Sequence, residues 1–466
     1  MRIRILGQYV HGSLAVLALV EFVLVAGAMF AATVIRFPEN LVHIQAEHGP
    51  LLPRMLLFGL TVLLSLMAFG MYSSRQRAPA FGIAIRLFTS ICAATVGTTV
   101  VFFLIPDVWV GRGVMALAAI LALLALIASR YVFSYLVDDE VFKRRVLVYG
   151  SGERARSIAG LRRRTDRRGF SVVGYVASDG ESCSVPREQL LDAAESMLSV
   201  CARLDVDEVV VAMDDRRRAF PILGLLECRL AGIDVTELLT FLERETGRVR
   251  IDVLNPSWMI FGEGFRRGPI RLFTGRMLDL LASLVIVTVS LPAMLVTACA
   301  IKLEDGWRAP VLYRQSRVGF GGNSFDVLKF RSMRTDAEVA GGAQWAQKSD
   351  PRVTRVGAII RKLRIDELPQ ILNVLRGHMS FVGPRPERPQ FVAQLAEKIP
   401  YYVQRHCVKP GITGWAQLCY PYGSSEQDAL EKLQYDLYYI KNNSLLFDLA
   451  IIVQTAEVVI LGKGAR

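Results

Sequence analysis

The 466-residue chain is 52% hydrophobic, has a mean hydropathy of +0.35 and carries a formal charge of +12, mostly from arginine. That excludes an ordinary soluble enzyme, leaves room for two or three domains and predicts membrane segments. Beside so much apolar sequence the positive charge points to anionic lipid or phosphorylated molecules and argues against nucleic acid. The seven cysteines (Cys92, Cys183, Cys201, Cys228, Cys299, Cys407, Cys419) are scattered without a CxxC pair, which indicates neither a zinc site nor a disulfide framework.

Four apolar runs come first, at residues 14–35, 55–72, 87–105 and 114–137. Each approaches the ~20 residues needed to cross ~30 Å of hydrocarbon. The first is too long, and lacks the small-residue cleavage site, for a removable signal peptide. Arg2, Arg4, Arg75, Arg77, Lys143, Arg144 and Arg145 lie at one set of ends, while the opposite loops hold Glu39, Glu47 and Asp107 beside only Arg36, Arg54 and Arg112. The positive-inside rule then puts both ends of a four-helix transmembrane bundle, residues 1–140, in the cytoplasm. Glu21 and Arg86, near the membrane ends, read as paired or interfacial groups, with a functional role as the alternative.

Residues 141–250 change to a soluble α/β pattern: VLVYG, SVVGYVA and DEVVVAM are separated by helical, arginine-rich stretches, which predicts a Rossmann-like parallel sheet. The first turn, with Gly150, Gly152 and Ala155, reads G-x-G-x-x-A. It either presents backbone N–H groups to a pyrophosphate or serves tight strand-to-helix packing with no dinucleotide. Asp179 stands where a ribose-binding acid would be, and Arg162, Arg163, Arg164, Arg167 and Arg168 form a solvated or lipid-facing cluster.

After a linker at 251–275, residues 280–301 are uncharged and long enough to span a membrane. The stretch is basic on both sides, with Arg266, Arg267, Arg271 and Arg276 before it and Lys302, Arg308, Arg314 and Arg317 after. A spanning helix would carry one of these clusters across. Ser290 and Pro292 offer a break, because proline removes a helix hydrogen bond and a serine hydroxyl can satisfy the freed carbonyl. Residues 277–301 are therefore expected to form a re-entrant helix that enters and leaves on one face. A β-hairpin turning at Gly319, Gly321 and Gly322 should follow and lead into Lys329 and Arg331.

The stretch 361–389, RKLRIDELPQILNVLRGHMSFVGPRPERP, sets two adjacent carboxylates, Asp366 and Glu367, among Arg361, Lys362, Arg364, Arg376, Arg385 and Arg388. Asp366 reads either as a helix N-cap before Pro369 or as a carboxylate kept ionised by the cations and able to attack a phosphoryl group. Successive helix positions point about 100° apart, so the two do not form a face-to-face acid/base pair. On the second reading one could attack while the other holds a divalent ion through oxygen. Pro384 and Pro386 restrict the backbone around Arg385, an arginine fork suited to phosphate. The loop KPGITGW (409–415) puts Trp415 near a nucleotide or the membrane interface, and the closing run LLFDLAIIVQTAEVVIL, with Asp448 and Glu457, reads as a core or interfacial helix.

KFRSM (329–333), DPRVTRVG (350–357), DELPQILNVLRG (366–377), MSFVGPRPERP (379–389) and KPGITGWAQ (409–417) together resemble the bacterial polyprenyl-phosphate phosphoglycosyl transferases of the large monotopic type. RKLRIDELPQ and GPRPERP are most similar to the exopolysaccharide enzymes associated with PEP-CTERM sorting. The resemblance implies an α/β catalytic domain at 276–466 with the re-entrant helix. It also implies Asp366 as nucleophile, Glu367 as Mg²⁺ ligand, and Lys329, Arg331, Arg361 and Arg385 near the phosphates. The implied partners are a UDP-sugar, polyprenyl (undecaprenyl) phosphate and membrane lipid, with homo-oligomerisation open. The implied location is the bacterial inner membrane, multi-pass, with the catalytic domain on the cytoplasmic face. One departure is His378, where the family carries an acidic residue in G-D-M-S. Two alternatives stand: a non-catalytic scaffold or regulator of polysaccharide assembly, and an NAD-dependent nucleotide-sugar epimerase or dehydratase, which the absence of a Tyr-x-x-x-Lys pair opposes.

Overall fold

In the computed structural model, residues 2–5, 8–38, 50–69, 71–72, 80–104, 111–136, 143–161, 169–178, 180–191, 195–215, 220–254, 259–260, 264–265, 268–334, 352–421, 423 and 425–460 are described. Arg75, Arg77, Glu39, Glu47, Asp107, the arginine cluster at 162–168, Asp179, Arg266, Arg267 and Asp350 lie outside them. The chain divides into two compact units, Met1–Thr246 and Gly247–Arg466.

The first unit opens with an antiparallel pair, Arg2–Ile5 and Gln8–His11, and four helices, Gly12–Arg36, Leu51–Ala68, Ala80–Leu104 and Arg112–Leu136. The first, third and fourth contain stretches long and apolar enough to cross a membrane, whereas Leu51–Met67 is a shorter apolar helix. That second helix starts and ends earlier than its apolar run predicts. Pro50, in an extended conformation, sets its N-cap, and Pro53 falls in the first turn, where a missing N–H costs little. Each helix packs against two others in a closed ring, the first on the second and fourth and the third on the same two. Met29, Phe58, Val62, Leu87, Ala118 and Leu126 fill the centre, while Leu19, Leu64, Val96 and Leu124 face outward. Glu21 is fully buried and takes Arg130 on both oxygens, at 2.6 and 3.0 Å, with the Tyr72 hydroxyl donating at 2.5 Å. Its carboxylate is thus paired, as a charge among helices must be.

The same unit holds a five-stranded, all-parallel sheet of Arg144–Tyr149, Phe170–Val176, Leu190–Leu191, Glu208–Val211 and Asp234–Glu237. In order of sequence the strands lie third, second, first, fourth, fifth, the doubly wound arrangement that the pattern predicts. The three longer strands match the predicted ones. The two edge strands escaped the sequence reading: one is two residues long, and the other, DVTE, has no apolar run.

In the second unit Pro269–Asp305 is one helix of 37 residues, apolar enough to span and mostly exposed along its length. It continues through Ser290 and Pro292 without the predicted interruption. A proline deletes only its own N–H bond to the carbonyl four residues back, so the flanking turns keep theirs. The Ser290 hydroxyl bonds Met294 Sδ at 3.6 Å and satisfies no freed carbonyl. Both ends of the helix hold the same α/β core. Near its start, Arg276 donates to the carbonyls of Val374 (2.6 Å) and Leu375 (2.7 Å), and Asp279 accepts from Ser380 Oγ (2.8 Å) and Phe381 N–H (2.9 Å). At its end, Glu304 accepts the N–H groups of Arg355 (2.8 Å) and Val356 (3.0 Å).

The predicted hairpin is present as antiparallel Leu312–Val318 and Ser324–Phe330, with Gly321 and Gly322 supplying positive φ at the turn. Short parallel strands Ser380–Val382 and Gly411–Thr413 and helices Gln370–Leu375, Pro389–Lys398 and Glu426–Lys441 surround a core of Val374, Phe381, Leu433, Leu437 and Ile440. The closing helix, Leu445–Ile460, buries Asp448 against Arg271 (2.5 Å) and the Tyr439 hydroxyl (3.0 Å).

Candidate active site

Asp366 and Glu367 sit in a 3₁₀ turn, Ile365–Glu367, entered through Arg364 in the left-handed region (φ 59°, ψ 19°). That conformation is strained for a residue with a side chain and recurs at functional sites. The following helix, Gln370–Leu375, begins at Pro369 without a side-chain cap, so Asp366 is not the N-cap that one reading expects. Glu367 Oε1 accepts Lys329 Nζ at 3.1 Å, from the second strand of the hairpin, and Arg385 Nη2 at 3.0 Å, from the loop after Ser380–Val382. Elements distant in sequence thus converge on one carboxylate oxygen.

The electrostatics of the two acids differ. Burial opposes ionisation of Glu367, but Arg385 and Lys329 override it and hold the carboxyl well below the ordinary glutamate range. Asp366 moves the other way: burial and the charge of Glu367 push it above the ordinary aspartate value, against Lys329 and Arg361. The expected effect of the surrounding cations therefore falls mainly on the neighbour, and Asp366 becomes the more basic carboxylate.

The loop that carries Arg385 is held by its own backbone. The carbonyls of Pro384, Arg385, Pro386 and Glu387 accept, in turn, from Gly411 N–H (3.0 Å), Arg405 Nη2 (3.0 Å), Arg317 Nη1 (3.1 Å) and Val318 N–H (2.9 Å). A Cβ on Gly383 would meet the Lys409 carbonyl at 2.4 Å, and one on Gly414 the Gly383 carbonyl at 2.2 Å. The glycines of VGPRP and KPGITG thereby let two backbones touch beside the site. Trp415 next to them bonds the Gly247 carbonyl (2.8 Å) and packs its ring on Phe447, inside the core.

Arg361 acts on Asp366 through charge alone, with no direct bond between the two among the described contacts. Arg331 is not joined to Glu367. It is buried and pairs with Asp305 at 2.6 Å, at the end of the long helix, while its Nε and Nη1 have no partner among the described residues. His378 lies against Phe325, with ring centroids 6.1 Å apart. Ser290 and Pro292 contribute no contact to the acid pair among the described residues. The sequence reading missed Arg405, Asp436 and Arg317. None stands in a pattern that signals phosphate, because two of them act on backbone carbonyls and the third acts through Arg405.

The donor set fits Mg²⁺. Both cations fall on Oε1 of Glu367, and two adjacent carboxylates beside the loop that carries Arg385 suit a hard ion that would complete its shell with water and phosphate oxygen. Among the described residues no three His, Cys, Asp or Glu gather into an all-protein cage.

In the first unit Gly150, Gly152 and Ala155 do lie where the first strand meets a helix, Glu153–Ala159. Three N–H groups of this turn are held by the chain's own acids. Asp214 accepts from Glu153 (3.0 Å) and Arg154 (2.8 Å), and Glu181 accepts from Ser151 (2.9 Å) and Asp214 (2.7 Å). A Cβ on Gly152 would strike Asp214 Oδ2 at 1.9 Å.

The family model for bacterial sugar transferases matches residues 270–462, and that for a CoA-binding domain matches residues 67–229. The exopolysaccharide production protein PSS of Rhizobium leguminosarum bv. phaseoli is 43% identical over 196 residues, 41% of this chain and 96% of that protein. The chain belongs to the bacterial sugar transferase family. Two further relatives align over longer stretches. The UDP-N-acetylgalactosamine-undecaprenyl-phosphate N-acetylgalactosaminephosphotransferase of Aeromonas hydrophila is 46% identical over 242 residues, 52% of this chain and 56% of its own length. The undecaprenyl-phosphate glucose phosphotransferase of Komagataeibacter xylinus is 34% identical over 355 residues, 73% of this chain and 64% of its own. The chain thus spans between half and two thirds of these two relatives. The sugar transferase match covers the acid pair, Lys329 and Arg385. The CoA-binding match covers a glycine turn at which the N–H groups of Ser151, Glu153 and Arg154 carry the chain's own carboxylates.

Proposed function

We propose that this chain transfers a phosphosugar from a UDP-sugar to a polyprenyl phosphate such as undecaprenyl phosphate, releasing UMP and starting assembly of an exopolysaccharide or related glycan. The observation that carries the reading is the half-buried acid pair with divided roles: Glu367 bound to Lys329 and Arg385, and Asp366 left as the more basic carboxylate. The names of the relatives agree with it. The scaffold alternative needs Asp366 to be a helix cap, and the helix begins at Pro369 without one.

In the first step an Asp366 oxygen forms a bond to the sugar-linked phosphorus, the pyrophosphate P–O bond breaks, and UMP leaves with the electron pair. Arg385 and Lys329 stabilise the charge that develops on the phosphoryl oxygens, and Arg361 adds to the local field. In the second step an oxygen of the polyprenyl phosphate attacks the acyl phosphate, the bond to Asp366 breaks, and the carboxylate is restored with polyprenyl-diphosphate-sugar as product. Glu367 would hold Mg²⁺, which supplies Lewis-acid stabilisation of phosphate charge. Arg331 is assigned by resemblance to the phosphate side of this site.

The membrane placement follows the same logic. The 37-residue helix has a contour of about 55 Å if straight, far more than the ~30 Å of hydrocarbon. Its two ends bind one polar unit, at Ser380 and Phe381 and at Arg355 and Val356. A helix whose ends share one soluble partner can dip into the bilayer and return only by bending, and Pro292 is where a kink would fall within the continuous helix; such a re-entrant course through residues 277–301 would keep the catalytic unit at the cytoplasmic surface. Residues 1–140 would anchor the chain, and 141–250 would serve assembly or regulation.

Incubation with Mg²⁺ and UDP-sugar, without the lipid acceptor, tests the covalent step. A mass increase of one phosphosugar on the peptide containing Asp366, absent from Asp366→Asn, is expected. Stoichiometric product formation with no such adduct, and turnover retained in Asp366→Asn, would overturn it.

A further inference from the structure

Arg405 lies in the 3₁₀ turn Tyr402–Cys407, is 6% exposed, and makes three bonds through its terminal nitrogens. Nη1 donates to the Tyr402 hydroxyl at 2.7 Å, and Nη2 donates to Asp436 Oδ2 at 2.9 Å and to the Arg385 carbonyl at 3.0 Å. Asp436, on the helix Glu426–Lys441, is 2% exposed. A buried ion pair gives little net stability compared with apolar residues of similar volume, because desolvation offsets the attraction. Stability alone therefore does not account for this one. What the pair does locally is specific: of the four consecutive loop carbonyls, the one belonging to Arg385 itself is the one that Arg405 holds. Pro384 and Pro386 on either side have no N–H to tie the backbone, so carbonyl bonds carry the restraint.

We propose that Arg405, itself fixed by Asp436, is a positioning residue for the transfer reaction: it locks the backbone of Arg385 so that the Arg385 guanidinium faces Glu367 and the incoming phosphate. The proposal rests on the phosphoglycosyl transfer reading and adds to it a residue that touches neither substrate nor acid pair. Its action passes through one arginine. A change at Arg405 therefore loses its effect once Arg385 is already altered.

The test measures UMP release by full-length, detergent-solubilised protein carrying Arg405→Lys, Arg385→Lys, and both. Lysine keeps the charge but lacks the fork that reaches three acceptors at once. Arg405→Lys is expected to lower kcat by about 10-fold to 100-fold, the scale of a small misplacement of a catalytic group. KM for polyprenyl phosphate should stay within about twofold of wild type, and the double variant should be no slower than Arg385→Lys alone. Wild-type turnover with multiplicative losses in the double variant, or with Arg405→Lys unimpaired, overturns the positioning role. No UMP release by the wild type overturns the transfer reading instead. If Arg405→Lys does not fold, Asp436→Asn replaces it, with a smaller loss that must likewise vanish in the Arg385→Lys background. Persistence of that loss overturns the proposal.

Discussion

Around Gly150 and Gly152 the first unit offers N–H groups where a phosphate would sit and meets them with its own acids, Asp214 and Glu181. Around Asp366 and Glu367 the second unit does the reverse. Lys329 and Arg385 converge on Glu367, and the charges of Lys329 and Arg361 act on Asp366. Both regions carry residue types associated with phosphate. The difference lies in what meets the phosphate-type residues: in the first unit the chain's own acids cap backbone N–H groups, and in the second cations from distant elements gather on an acid pair.

Substitutions can sharpen or break this contrast. The largest effect should come from Asp366→Asn, which removes the proposed nucleophile and should lower UMP release by ~10³-fold or more while the melting transition is kept. Next, Arg385→Lys keeps the charge but loses the planar fork, and kcat should fall by ~10²-fold, measured at saturating UDP-sugar. Glu367→Gln keeps an amide oxygen that can accept from Lys329 and Arg385 but removes the negative charge that pairs them, and should weaken the dependence of turnover on Mg²⁺, read from an Mg²⁺ titration.

The pH profile has a definite sign. Asp366 is raised above 3.8 in the folded chain, so kcat/KM for the UDP-sugar should fall on the acid side at a higher pH than an ordinary aspartate gives. Glu367 is depressed below 4.5 and stays ionised through that limb; the stability it contributes is present above 4.5 and is lost as pH falls through its lower folded value. An acid limb at or below the ordinary aspartate value would contradict the assignment.

The smallest effect belongs to the other region. Gly152→Ala should destabilise the first unit by about 1–3 kcal/mol, because its Cβ would strike Asp214. In an Asp214→Ala background the same change should cost less, a coupling visible in denaturant melts. CoA should give no saturable binding in isothermal titration. Tight CoA binding, or strictly additive losses, would mean that the glycine serves a ligand after all.

Much of this was legible along the chain. The acid pair, Lys329 and Arg385 stand in long contiguous motifs, and the hairpin and the three main strands follow from alternation and glycine. Other features depend on three-dimensional packing. Arg405, Asp436 and Arg317 hold backbone carbonyls directly or through one another, and a carbonyl leaves no mark in a sequence. Arg331 carries a motif position but pairs with Asp305, because the end of the long helix arrives beside it. The turn at Asp366 looks like a helix start by composition. The left-handed Arg364 makes it a 3₁₀ turn instead. Proline at 292 predicts a break, and one lost hydrogen bond in a helix of 37 residues does not produce it.

The most direct measurement is nucleotide release. Purified protein in detergent, with Mg²⁺, polyprenyl phosphate and a panel of UDP-sugars, should liberate UMP with one sugar of the panel and none with Asp366→Asn. Release of UDP would mean plain glycosyl transfer, and either that result or UMP release undiminished in Asp366→Asn would contradict the account.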